Sequence, residues 1–345
     1  MNYAGINAKI KVMRSRLLTY NNFVELSKSK DVEDVTNKLK NFYSYHDFLC
    51  TLEKEKLHRG FIESKLTLSL MSDFERIYNF IPDYGLKKYL SAFFLRNEIH
   101  ILKSILSMIY DKRDIEYTLP ELSILIGRKL KIDVDRLKSS SCVSDFINNL
   151  KGTQFYNLLS DTYKQSQKLF DLEMKLDFYY YMHLWQLQKK YLTGQNKVIL
   201  SKIKGSEIDL VNISWLYRMK KYYNFDATAL YSYLLPIQYK LKPSEISALV
   251  KANTMAEFEK IVYNTYYGSL FQTEKLKIER VNYKILSSIY HKFYLKGEKT
   301  ISSVVYYIYL KEMEINNITS LIEGIRYKLD SSKILSYLYL KEARE

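Results

Sequence analysis

The chain has 345 residues, 47% of them hydrophobic, with 10 glycines, 4 prolines, 33 tyrosines and a formal net charge of +15. That apolar fraction supports packed cores and excludes whole-chain disorder, while the scarcity of glycine and proline excludes turn-rich all-β and dinucleotide-binding folds and favours long helices. The positive charge draws the chain towards nucleic acid, acidic headgroups or an acidic protein, although abundant Lys, Ile, Tyr and Asn are also what an AT-rich genome encodes.

The opening segment, MNYAGINAKIKVMRSRLL, carries charges inside its apolar stripe and lacks the apolar core of a signal peptide. The stretch RLLTYNNFVELSKSKDVEDVTNKLKNFYSYHDFL then reads as two short helices holding the acid–apolar pair Asp34-Val35. A long helix follows in FIESKLTLSLMSDFERIYNF and stops at Pro82-Asp83-Tyr84-Gly85. The next helix carries Glu98, Leu102, Ile105 and Ile109 on one face. Cys50 and Cys142 are the only cysteines and form no CxxC, which suits a reducing cytoplasm and excludes a cysteine zinc site.

The middle of the chain repeats this order. KLKIDVDRLKSSSCVSDFINNLKGTQFYNLL supplies short helices, with Ser141 or Ser144 as an N-cap before Asp145-Phe146. LEMKLDFYYYMHLWQLQKKYL is long and ends in a break containing Gly194. In SEIDLVNISWLYRMKKYY, Ile208, Val211, Trp215, Met219 and Tyr222 step by 3, 4, 4 and 3, one helical face with Ser206 as its N-cap. Trp185 and Trp215 fall on apolar faces and read as core.

The last third opens with KLKPSEISALVKANTMAEFEKIVYNTYYGSLF, where Pro243 starts one short helix and Thr254 caps the next. IERVNYKILSSIYHKFYL is again long and ends at Gly297. SVVYYIYL is the best strand candidate, but its place in the repeat favours helix. In KEMEINNITSLIEGIRYKL, Ile315, Ile318, Ile322, Ile325 and Leu329 step by 3, 4, 3 and 4. Asp330-Ser331-Ser332 then caps a final helix in KILSYLYLKEARE.

Three sets of markers recur in one order. Glu98, Glu207 and Glu312 are separated by 109 and 105 residues; Glu63, Glu173 and Glu279 lead them by 35, 34 and 33. The pairs at Asp34, Asp145 and Glu257 are separated by 111 and 112. The fold class is therefore all-α, one helical unit of about 110 residues in three copies, at 1–118, 119–227 and 228–345. That period exceeds the roughly 20–50 residues of a solenoid repeat, and each copy is large enough to be a small domain. Periodicity alone leaves open a row or closure about an axis.

Chemistry-bearing motifs are missing. No phosphate loop, dinucleotide fingerprint, HExxH or DDxxD cluster is present, and the five histidines lack metal-ligand spacing. No catalytic, cofactor or metal residue is assigned, and the chain is not expected to be an enzyme. The uncharged runs 227–239 and 261–273 fall short of the roughly 20 residues a spanning helix needs. The candidate interface or scaffold residues are the repeated ones. Glu98, Glu207 and Glu312 either grip a basic partner or complement the dipole at a helix N-terminus. Asn212 and Asn317 either hydrogen-bond between helices or are solvated. Arg218 and Arg326, if buried, need carboxylates that the glutamate sets can supply. The basic stretches QKKYLTGQNKVILSKIK and GRKLKIDVDRLK read as binding phosphate backbones or lipid headgroups, or as solvated faces, and a basic helical nucleic-acid-binding protein is the alternative reading.

The segments NYAGINAKIKVMRSRLL, ISWLYRMKKYYNF with YLLPIQYKLKPSEI, and KEMEINNITSLIEGIRYKL closely resemble the C subunit of bacterial and archaeal V-type (A-type) ATPases, a family that includes the d subunit of the eukaryotic vacuolar ATPase. Lys9 and Lys11 stand where that family tends to carry arginine, and Asn316 where it tends to carry a basic residue. The resemblance implies three helical domains about a pseudo-threefold axis, forming a funnel with a central cavity. It implies a non-catalytic central-stalk adaptor, one copy per complex, seating the shaft (D- and F-type subunits) on the proteolipid rotor ring and passing torque for H+ or Na+ transport or ATP synthesis. It also implies a peripheral place on the cytoplasmic face of the cell membrane, near its anionic surface, with no nucleic acid and no cofactor.

Overall fold

A computed structural model describes residues 3–50, 59–112, 131–223, 225–268, 278–297 and 300–340. Among the described residues all regular structure is helical and no strand occurs. The chain divides into two compact units. The first gathers 1–83, 93–172 and 303–345; the second holds 84–92 and 173–302.

Six long helices dominate: Arg59–Phe80, Ala92–Tyr110, Leu169–Tyr191, Gly194–Arg218, Ile278–Lys296 and Ser302–Arg326. SVVYYIYL lies wholly within the last of these, so β-branched Val304 and Val305 serve a helix core, as tertiary burial overrides their strand propensity. Glu63, Glu173 and Glu279 all lie in the first two turns of their helices.

The short helices show the repeat most cleanly. In Val32–Lys40, Val143–Asn149 and Met255–Tyr263 the acids Asp34, Asp145 and Glu257 each stand at the third helical position. The following Val35, Phe146 and Phe258 are fully buried. A side chain at the third position can reach back over the N-terminus, where free N–H groups favour an acid. Asp34 accepts from the Lys30 N–H at 3.0 Å, and Glu257 accepts from the Asn253 N–H at 2.8 Å. Asp145 instead accepts from the Ser141 hydroxyl, and the N-cap there is Cys142, neither of the two serines expected. Pro243 does open its helix, and Thr254 caps the next by accepting from the Glu257 N–H at 3.1 Å. The last described helix, Ser331–Tyr337, takes in the two serines expected to precede it, and Asp330 holds the N-cap position without a side-chain cap bond.

One boundary is corrected. Ser206 caps nothing; it is buried in the interior of the single 25-residue helix Gly194–Arg218. The neighbouring glycine supplies the reason. A Cβ on Gly205 would stand 2.7 Å from the Tyr239 ring, so this glycine admits a close approach of the following segment and is not a helix break. Trp185 and Trp215 are partly buried and pack, with Phe178 and Val211, against a core of Ile208, Leu235 and Ile237. Of the two basic stretches, 127–130 lie outside the described residues. In the other, Lys189, Lys190, Lys197 and Lys202 are exposed while Lys204 is not.

Candidate functional site

In the second unit the interior of the 194–218 helix presents a carboxylate to a segment of chain that has no regular structure. Asp209 is fully buried. It accepts from the backbone N–H groups of Tyr239, Lys240 and Leu241 at 3.1, 2.6 and 3.0 Å, and from the Tyr267 hydroxyl at 2.8 Å. Those three N–H groups precede the helix Pro243–Lys251. Charge-assisted bonds to backbone are the strongest available for fixing an irregular segment. One turn on, the buried Asn212 clamps Leu235 at both ends, donating to its C=O at 3.1 Å and accepting from its N–H at 3.0 Å.

The same construction occurs twice in the first unit. Glu314, on the 302–326 helix, accepts from the Leu18 N–H, just ahead of the helix Tyr20–Leu26, and from the hydroxyl of fully buried Tyr45. Asn317, three residues later, clamps Tyr339, accepting from its N–H at 2.8 Å and donating to its C=O at 3.2 Å. Glu98, on the 92–110 helix and only 2% exposed, accepts from the Lys131 N–H, ahead of the helix Val134–Lys138, and from Gln154 Nε2 at 3.4 Å. Tyr45, Gln154 and Tyr267 all lie a few residues beyond the end of an acid-opened short helix, so the second partner recurs as well as the first. Each long helix thus holds the start of the short helices that follow it in the repeat, and for the last helix those are the N-terminal ones.

This geometry changes the register of the glutamates. By role, Glu98 belongs with Asp209 and Glu314, separated by 111 and 105 residues, and not with Glu207 and Glu312. The helix ends agree. Lys112, Tyr223 and Lys328 each stand 14 residues after their acid. Among the described residues Lys112 and Lys328 are the two non-glycine residues with positive φ, at 52° and 54°, and Tyr223 closes a π-helical turn, Met219–Tyr223. None of the three marker glutamates stands at a helix N-terminus, so the macrodipole does not account for them.

Glu207 and Glu312 have their own partners. Glu207 pairs with Lys204 at 2.7 Å and accepts from the Tyr290 hydroxyl at 3.2 Å. Burial opposes the charge of Lys204, but Glu207 foremost, with Tyr290, Tyr180 and Tyr89, outweighs it and holds the ammonium well above its ordinary range. Glu312 pairs with Arg96 at 2.6 Å, joining two long helices of the first unit. The arginines are not buried: Arg218 is exposed, and exposed Arg326 pairs with Glu323, one turn behind it, at 3.3 Å. Lys9 donates to the Arg76 C=O at 2.9 Å.

Burial also tunes the acids themselves. It pushes the carboxyls of Glu98 and Asp209 up, against the pull of the N–H groups they accept from. The third site answers the problem with a cation. Fully buried Lys311 donates to Glu314 at 3.0 Å and to the Tyr45 hydroxyl at 2.9 Å, and burial with the Glu314 charge drives the Tyr45 hydroxyl well above its usual range. Asp209, Glu314, Lys311, Tyr45, Tyr267 and Gln154 were not singled out by sequence. The signal that finds the first two is an acid three residues before an asparagine within an apolar face, at Asp209/Asn212 and Glu314/Asn317.

These arrangements fix chain to chain. Among the described residues no group of His, Cys, Asp and Glu side chains has the grouping of a metal site, and no helix is long and apolar enough to cross a membrane. The sequence matches the ATP synthase (C/AC39) subunit family over residues 6–337. It is 25% identical to the C subunit of the A-type ATP synthase of Methanocaldococcus jannaschii, covering 97% of this chain and 86% of that protein. The corresponding protein of Methanococcoides burtonii is 24% identical, covering 98% and 94%, and that of Methanosphaera stadtmanae 25%, covering 78% and 67%. The matched span takes in all three buried acids and every segment up to Tyr337, and the chain belongs to the ATP synthase (C/AC39) subunit family.

Proposed function

We propose that this chain is the C-type subunit of a rotary A/V-type ATPase and that it works as a non-catalytic adaptor. In this reading, units 1–118, 119–227 and 228–345 stand about a pseudo-threefold axis. They seat the D- and F-type shaft subunits on the proteolipid rotor ring at the cytoplasmic face of the membrane, and transmit torque between them. One observation carries the reading beyond family membership: the buried-acid junction at Glu98, Asp209 and Glu314, made three times. A torque-bearing socket needs its irregular connections held as firmly as its helices. Charge-assisted bonds from backbone N–H groups to a buried carboxylate, three consecutive ones at Asp209 and one each at Glu98 and Glu314, meet that need. The residues Glu207, Glu312, Asn212 and Asn317 serve the scaffold in this account, Arg218 and Arg326 lie exposed on it, and the surfaces that meet shaft and ring lie elsewhere.

The test is affinity purification of the tagged chain from gently solubilised membranes, followed by its deletion. Shaft and proteolipid subunits are expected to copurify. Deletion is expected to leave ATP hydrolysis by the soluble head while abolishing ion transport. Ion pumping by a complex that lacks the chain would sink the proposal.

A further inference from the structure

The end of the 194–218 helix carries an exposed basic and aromatic surface. The helix runs into the π-helical turn Met219–Tyr223, a rare geometry that recurs at functional sites. Here Tyr222 is 65% exposed, Tyr223 53% and nearby Tyr231 44%. Tyr223 stacks on Phe225 with ring centres 5.8 Å apart, and Phe225 meets Tyr233 at 5.5 Å. Exposed Lys221 holds its ammonium over the Tyr222 ring at 5.3 Å, anchored from behind by the Tyr217 hydroxyl at 3.0 Å, a hydrogen bond that shifts the lysine upward from its ordinary range. Arg218 is exposed on the same turn.

A cation at the last turn of a helix is explained by the dipole. Four aromatic residues gathered at that end, two of them more than half exposed, are not. The pair also recurs in register at the end of the 302–326 helix, where Arg326 lies 5.4 Å from the ring of Tyr327, itself 64% exposed. At the third helix end Asp111 stands in the place of that tyrosine.

We infer that the Lys221–Tyr222–Tyr223 turn, with Arg218, is a docking surface for an anionic lipid headgroup layer. Tyrosine suits a water–hydrocarbon boundary because its ring is apolar and its hydroxyl polar. Lys221 and Arg218 add attraction for phosphate, with alkyl stems that lie along apolar surface. Against a protein partner, hot-spot aromatics fill packed pockets; this patch offers exposed rings on a helix end. The inference does not depend on the adaptor role, since the isolated chain is expected to bind vesicles by itself.

The experiment is co-sedimentation of the purified full-length chain with vesicles of phosphatidylglycerol and phosphatidylcholine, compared with phosphatidylcholine alone. The chain is expected to partition onto the anionic vesicles. K221E with Y222S and Y223S is expected to reduce that binding at least tenfold with an unchanged far-UV circular dichroism spectrum. The charge-matched variant K164E, at an exposed lysine of the other unit, is expected to reduce it less than twofold. Equal losses in the two variants would assign the binding to bulk charge and overturn the inference. So would no binding by the unaltered chain at low salt. Copurification with a membrane ATPase alongside either result would leave the adaptor reading standing and this one refuted.

Discussion

Asp209 offers the sharpest test of the junctions. Replacing it with alanine strips four donors of their acceptor, of which the Leu241 N–H and the Tyr267 hydroxyl are buried. The Tyr239 and Lys240 N–H groups are part-buried and can recover water. An orphaned buried donor costs about 1–3 kcal/mol, so two cost about 4 kcal/mol. Release of the carboxylate from a site where burial disfavours its charge returns part of this, leaving a loss of about 3 kcal/mol. The chain is large and unfolds in more than one step, but its two tryptophans, Trp185 and Trp215, both belong to the second unit and pack beside this junction. Tryptophan fluorescence therefore reports the unit that Asp209 holds. With a urea slope of about 2 kcal/mol per molar, D209A lowers the fluorescence-detected midpoint by about 1.5 M. D209N keeps the shape, but with its oxygen facing Lys240, Leu241 and Tyr267 its amide N–H₂ meets the Tyr239 N–H, so it rescues only in part. A D209A midpoint within about 0.3 M of the unaltered chain would refute the reasoning.

The remaining predictions use the same readouts. K311M leaves Glu314 buried without its cation and costs the first unit about 3–5 kcal/mol, seen by circular dichroism with the fluorescence transition unmoved; K311M with E314M costs less than the sum of the single changes. N212A unclamps Leu235 and lowers the stability read by fluorescence by about 2 kcal/mol, while N212D costs more because one carboxylate oxygen then faces the Leu235 C=O. For Lys204 the native pKa lies above the ordinary 10.5, so its stabilisation is complete below that pH and is lost as pH rises through the native value. The fluorescence midpoint is therefore expected to fall more steeply above pH 10.5 in the unaltered chain than in K204M. G205A forces the Tyr239 ring aside and costs about 1–3 kcal/mol, measured by the same transition.

Much of this architecture was legible because helix faces and caps are local. Apolar steps of three and four predicted the long helices, and Pro243 and Thr254 predicted the starts of short ones, since each acts on backbone within one turn of itself. Asp34, Asp145 and Glu257 were found as a repeat and stand at equivalent helical positions, because an acid placed to reach back over an N-terminus keeps a fixed offset from its cap. Ser206 shows the converse: a serine ahead of an apolar stripe reads as an N-cap, and only the ring of Tyr239 explains the glycine beside it within a continuous helix.

The buried acids were hidden by their own chemistry. A carboxylate that binds backbone N–H groups asks nothing of the identity of its partner residues, so Tyr239, Lys240, Lys131 and Leu18 share no side-chain signature. Nor does the position demand one acid: it is Glu, Asp and Glu in turn, and only the first was an obvious glutamate marker. Two residues away, Glu207 and Glu312 match as a pair and align with Glu98 by spacing alone. What separates the sets is burial with backbone partners. Glu312, whose side chain is 16% exposed, meets a half-exposed arginine whose long side chain can adjust to a small shift. Glu98, Asp209 and Glu314 each define where the following segment begins, and a shift by one residue would carry the carboxylate about 100° around the helix and off its donors. A repeat read from letters therefore tolerates an offset of two; a repeat read from hydrogen bonds does not.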